Sequence, residues 1–156
     1  MESPDFILMH SGRVIYRVSS DDNGRWTRNL NIDYLSMEDE DDAEWLPEAG
    51  GIVYSDHMGV FFQTFYKNPT ASWRYVLGFE QGMMREDDLK IYRKIQWNYS
   101  GYEAFTPWVE KMKPEDRLIL HHTPLICPGI EGLEWHYTAT DTWIGRLPRE
   151  NTDSSE

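Results

Sequence analysis

The sequence predicts an all-β protein, an antiparallel β-sandwich of jelly-roll-like form or a flattened barrel of about nine strands. Three observations predict it. Apolar and polar residues alternate in several runs, the mark of a strand with one buried face. Gly, Pro, Asn and Asp clusters divide those runs. No ten-residue segment keeps a 3.6-residue apolar period.

The elements follow in order. "RVIYRVS" alternates through Val14, Tyr16 and Val18, and "RWTRNLNIDYL" places Trp26, Leu30, Ile32 and Tyr34 on one face. The "DDNG" between them carries an Asn-Gly pair, which supplies the positive backbone angles of a tight hairpin turn. "VFFQTFY" at 60–66 is read as a strand, as is "SWRYVLGF", with Trp73, Tyr75, Leu77 and Phe79 on one face. "LKIYRKIQW" puts Leu89, Ile91, Ile95 and Trp97 at period two. Its acidic start and basic end suit a helix dipole, but the period favours a strand. "AFTPWV" at 104–109, "RLILHH" at 117–122 and "LEWHYTA" at 133–139 complete the set.

One sandwich domain is expected over 1–147, with an acidic loop at 36–50 and a disordered tail at 148–156. At 156 residues the chain is long enough to bury roughly two thirds of its unfolded surface. The loop "SMEDEDDAEWLPEAGG" is too acidic to pack by this reading: Asp33 to Glu48 hold eight acids and no base. The tail "PRENTDSSE" is polar and expected to fray.

Composition bounds the function. A formal charge of -12 argues against nucleic acid, whose binding draws on clustered Lys and Arg to release counterions. Cys127 stands alone, so no internal disulfide forms, which suits a reducing compartment. It lies between Ile126 and Pro128 and reads as a buried inert thiol. The N-terminal "MESPDFILMH" lacks the basic flank and long apolar core of a signal peptide, and no apolar run approaches a membrane span. An intracellular, cytoplasmic protein without membrane partners is expected.

The chemistry-bearing residues concentrate in "LILHHTPLICPGIEGLEWHYTATDTW", with three of the five histidines. His121-His122-Thr123 and His136-Tyr137-Thr138 fit a His-x-Thr pattern, but their separation is too short for the duplicated halves of two-histidine phosphoesterases. Strand parity points one of His121 and His122 inward, where an unpaired imidazole costs about 1–3 kcal/mol, a hint of a pocket. His57, His121, His122, His136, Asp56 and Glu134 are metal-ligand types without a ligand spacing, so neither metal nor cofactor is expected. Ser55, Asp56 and His57 read as a turn, because neighbours on an extended chain face apart and cannot form a triad.

A resemblance runs through "IVYSDHMGVFFQTFYKNPTASWRYVLGFE" and "KIQWNYSGYEAFTPWVEKMKPEDRLILHHTPLICPGIEGLEWHYT". Over residues of about 50–140, Ser55-Asp56, Ser72-Trp73, Gln96, Asn98, Trp108, Pro114 to Arg117 and Pro128-Gly129 follow a shared order. That order resembles the β-rich module near the C-termini of many filamentous-fungal F-box and ankyrin-repeat proteins. Glu115 departs from its turn glycine and Ile130 from its tryptophan. The resemblance implies a β-sandwich that binds partners or small ligands, with no chemistry attached.

The function expected is therefore non-enzymatic recognition of a protein segment or small apolar ligand by an aromatic-rich face or pocket, with Trp73, Tyr75, Trp97, Trp135 and His121 as its lining. The alternative is a small cyclase, isomerase or hydrolase in which His122 or His136 acts as acid or base with Asp56 or Glu134. A third is an acidic inhibitor of a basic partner, acting through the 36–50 segment.

Overall fold

The computed structural model describes residues 35–121, 126–138 and 141–149 in full, and the backbone of the strands at 6–10 and 13–18. The chain divides into two compact units, Met1–Asp33 and Tyr34–Glu156.

In the first unit β1 (Phe6–His10) pairs antiparallel with β2 (Arg13–Val18), with an irregularity between Leu8 and Met9. The strand expected from "RVIYRVS" is present. Its expected Asn-Gly turn, and the expected partner strand up to Tyr34, lie outside the described residues.

The second unit overturns the all-β reading. Its described elements are α1 (Glu40–Ala43), β3 (Ile52–Tyr54), α2 (Met58–Lys67), β4 (Arg74–Tyr75), α3 (Glu86–Trp97), α4 (Thr106–Val109), β5 (Arg117–His121), β6 (Glu134–Tyr137) and β7 (Thr142–Arg146). Single 3-10 turns precede α3 and α4. The strands form one mixed sheet in the order β4-β3-β5-β7-β6. β3 runs parallel to β4 and β5, while β7 is antiparallel to β5 and β6. This is an α/β arrangement, not a sandwich or barrel. Residues 52–137 thus lack the architecture that the fungal-module resemblance implied.

Three expected strands are helical, and packing explains each. In α3 the buried residues are Asp88, Tyr92 and Ile95, a 3.6-period stripe. Ile91 and Ile95 satisfy a four-residue spacing as well as period two, and Trp97, which completed the alternation, is 87% exposed. The acids in the first turn, Lys94 in the last and a Glu86–Lys90 ion pair of 2.9 Å are helix chemistry. In α2 the strand-favouring Val60, Phe61 and Thr64 fall on one helical face and are buried. There the Thr64 hydroxyl donates to the Val60 carbonyl one turn back. Residues 102–109 form a 3-10 turn and α4, with Trp108 fully buried beneath them. "SWRYVLGF" contributes only the two-residue edge strand β4.

Helices cover both faces of the sheet. Val53, Ile119 and Ile144 point to one face and pack with Val60 of α2 and with Leu35, Leu46 and Trp45. Tyr54, Leu118, Leu120, Trp135 and Trp143 point to the other, against Tyr92 and Ile95 of α3 and Trp108 of α4. The order β4-β3-β5 requires this division. The chain steps from β3 to β4 in one direction and returns past β3 to β5 in the other, so crossovers of one hand place their helices on opposite faces.

The acidic segment is docked rather than a wholly exposed loop. Asp42, Leu46 and Pro47 are buried, and the fully buried Arg117 donates from Nε to the Trp45 carbonyl at 2.9 Å. Of the tail expected to fray, Pro148 and Arg149 are described, and Arg149 lies 3.9 Å from Glu48; the rest falls outside the described residues. Among the described residues no helix is long and apolar enough to cross a membrane.

Candidate functional site

The N-terminal end of β3 is built tightly. A Cβ on Gly51 would sit 2.2 Å from the Glu115 carbonyl oxygen, so only glycine permits this approach. The Asp116 carboxylate then accepts from the Ile52 amide at 2.7 Å and the Lys113 amide at 2.9 Å. The turn before β5 is thereby fastened to β3. Its Arg117 also donates to the carbonyls of Pro114 and Asp116, both at 2.7 Å. Burial pulls the Arg117 pKa down, and Glu48 opposes that shift.

Beside this turn a groove of about 520 Å³ opens along the short edge strand β4. Ile52, Tyr54, Val76, Met83 and Met84 supply apolar wall, with Tyr75 at one side. Arg74, Arg85, Lys111 and Lys113 bring four cations, and Asp87, Asp88 and Asp116 three carboxylates. Two of those carboxylates are occupied: Asp116 by the amides above, and Asp88 by the Lys111 ammonium. The side chains of Arg85 and Lys113 have no hydrogen-bond or ion-pair partner among the described residues, and Arg74 reaches only the Gly50 carbonyl at 3.4 Å.

Tyr54 lines the same groove. Its side chain is only 4% exposed, yet its hydroxyl has no hydrogen-bond partner among the described residues. Burial, with Asp116 and Asp88 nearby, pushes its pKa up to about 12, while Arg85 and Arg74 pull the other way. At neutral pH the phenol is therefore an unengaged donor facing two guanidinium charges. Tyr75, also held above its ordinary pKa by burial, accepts from Trp73 Nε1 at 2.9 Å.

The residues singled out from the sequence fall in separate places. His136 Nε2 lies 2.9 Å from Asp42 Oδ1, and its ring stacks on Trp45 at 5.0 Å. Glu134 accepts from Arg146 Nε at 3.2 Å. Asp56 accepts from the Ser100 hydroxyl at 2.5 Å, beyond the C-terminal end of β3. His122 lies outside the described residues. His121, at the end of β5, has Nδ1 3.0 Å from Thr142 Oγ1 and its ring 5.2 Å from that of His57. Asp56 and His121 thus stand near the point where parallel winding reverses between β3 and β5, whereas His136 and Glu134 belong to the outer strand β6.

Of the expected aromatic lining, only Tyr75 borders the groove. Trp73 is buried on the α2 face. Trp97 projects from the end of α3, exposed. Trp135 packs over Gly145, with Trp143 at 6.5 Å. Cys127 is exposed rather than buried. Among the described residues no three His, Cys, Asp or Glu side chains are grouped to hold a metal.

Tyr54, Arg74, Arg85 and Lys113 were not singled out from the sequence. They come from four separated segments, and only the αβ winding brings them together. The one available signal was the apolar "IVY" entering a Ser-Asp turn, which marks a short interior strand. Comparison with family models, curated proteins and solved structures gives no match.

Proposed function

We propose that this chain is a recognition module that holds a small ligand in the groove beside β4, without transforming it. The observation that carries the reading is the pairing of a formed groove with unengaged polar groups on its wall: Tyr54, Arg85 and Lys113. Ligand sites combine apolar wall with a few placed polar groups, and a volume of about 520 Å³ lies within their usual range. Among the described residues no histidine lines the groove, so none of those imidazoles is at hand as acid or base for a bound molecule.

Native mass spectrometry of the purified protein tests this. A small molecule retained at one per chain, recovered chemically unchanged after long incubation and still held by His57→Ala and His136→Ala variants, is the expected result. Turnover of the retained molecule, or its loss on removing either imidazole, contradicts the reading.

A further inference from the structure

The ligand class can be read from the charge left over in the groove, an inference that rests on the binding reading above. The lining carries four cations and three carboxylates. Lys111 and Asp88 engage each other. Asp116 is saturated by two backbone amides that also fix the wall. What remains is Arg74, Arg85 and Lys113 against Asp87, an excess of positive charge on a protein whose formal charge is -12. Arg85 and Lys113 pair with no acid among the described residues.

A second observation is independent of charge count. The Tyr54 ring is buried, and its hydroxyl, which makes no hydrogen bond among the described residues, reaches solvent on a wall it shares with these cations. Such a hydroxyl is free to donate to a bound acceptor. An anionic oxygen is the strongest acceptor, and it satisfies guanidinium, ammonium and phenol together. In the same lining Val76, Met83 and Met84 offer apolar surface, with Met83 78% exposed. Methionine is unbranched and adapts to varied apolar shapes.

We infer that the groove takes an amphiphilic organic anion, its carboxylate or phosphate head held by Arg85, Lys113 and the Tyr54 hydroxyl and its apolar body laid along Val76, Met83 and Met84. Arg74, at the open edge strand, adds long-range attraction.

Isothermal titration of the full chain with four eight-carbon probes, and with inorganic phosphate, tests this. Octyl phosphate and octanoate are expected to bind, the tighter of the two naming the head group. Octanol is expected to bind about tenfold more weakly or less, and octylamine not measurably. Inorganic phosphate should bind more weakly than octyl phosphate, because it leaves the methionine wall bare. Arg85→Gln and Lys113→Gln, both at exposed positions, should each weaken octyl phosphate binding about tenfold, and Tyr54→Phe about threefold to tenfold. Circular dichroism checks that each variant keeps its fold, and the two surface variants decide the matter should Tyr54→Phe unfold.

Equal binding of octanol or octylamine, or indifference of octyl phosphate to both cation variants, overturns the anion assignment and leaves the binding reading standing. Inorganic phosphate binding as tightly as octyl phosphate overturns the apolar body. Absence of binding by every probe overturns the inference as a whole. The retained-ligand measurement above then judges the binding reading by itself.

Discussion

His136 Nε2 and Asp42 Oδ1 lie 2.9 Å apart across 94 residues of sequence, and that bond fastens the acidic segment to the sheet. Trp45 stacks on the same imidazole and carries the Arg146 guanidinium 3.8 Å above its ring. Arg146 also lies 3.7 Å from Glu44. Three carboxylates of the segment, Asp42, Glu44 and Glu48, thus lie against a histidine and arginines of β5 and β7. His136→Ala removes both the hydrogen bond and the stacking partner. Urea denaturation is expected to show a loss of about 1–3 kcal/mol, and Trp45→Ala a comparable one. A loss below about 0.5 kcal/mol in both would mean the segment is not docked.

Gly145 is the point where Trp135 reaches across the β6–β7 pair. A Cβ there would lie 2.9 Å from Trp135 Cζ3 and 3.0 Å from Leu133 Cδ1. Because the indole is held on its other side by the core, Gly145→Ala should cost about 1–3 kcal/mol through overpacking, seen as a lower thermal midpoint. Gly78, with open space around its Cα, is the control: alanine there meets no neighbour within 4 Å and should change the midpoint little.

Asp116 joins β3 to the turn before β5 by accepting two amides 64 and three positions away. Asp116→Ala leaves both donors unanswered in a buried place and is expected to cost about 2–4 kcal/mol. Asp116→Asn keeps one acceptor and should cost less. If the two substitutions prove equal and mild, the carboxylate is not the anchor of this corner.

Stability should fall in alkali through Tyr54. Its proton is held more tightly in the folded chain, with the pKa moved from 10.0 to about 12. The folded form therefore binds more protons between those values. This contribution is complete below pH 10 and is lost as pH climbs through 12. Burial raises Tyr75 and Tyr92 in the same direction, so Tyr54→Phe should shallow the alkaline decline without abolishing it. A decline unchanged in that variant would place the titrating group elsewhere.

The sequence located β5 and β6 but not β7, which lies between them and pairs with both. β5 alternates in a mixed sheet as it would in a sandwich: Ile119 pairs with Ile144 of β7, and Leu120 with Trp143. Of the two adjacent histidines, His121 reaches Thr142, its neighbour on β7, and His122 lies outside the described residues. The helices were concealed by their composition. Val60, Phe61 and Phe65 are strand-favouring residues, and packing against Trp73 and Phe79 overrides that preference. In α3 Ile91 and Ile95 serve either period, and the burial of Tyr92 with the exposure of Trp97 decides between them. The groove was not legible at all. Its cations lie up to 39 positions apart, at Arg74, Arg85 and Lys113, and their convergence depends on crossovers that a wrong class assignment cannot supply.

The groove is tested most directly by carbon-13 methyl NMR of methionine-labelled protein titrated with octyl phosphate. The methyl signals of Met83 and Met84 should move together and saturate, while those of Met37 and Met58, away from the lining, stay in place. Signals at Met83 and Met84 that remain fixed while the probe binds, or shifts that centre on Met37 or Met58, would contradict the account.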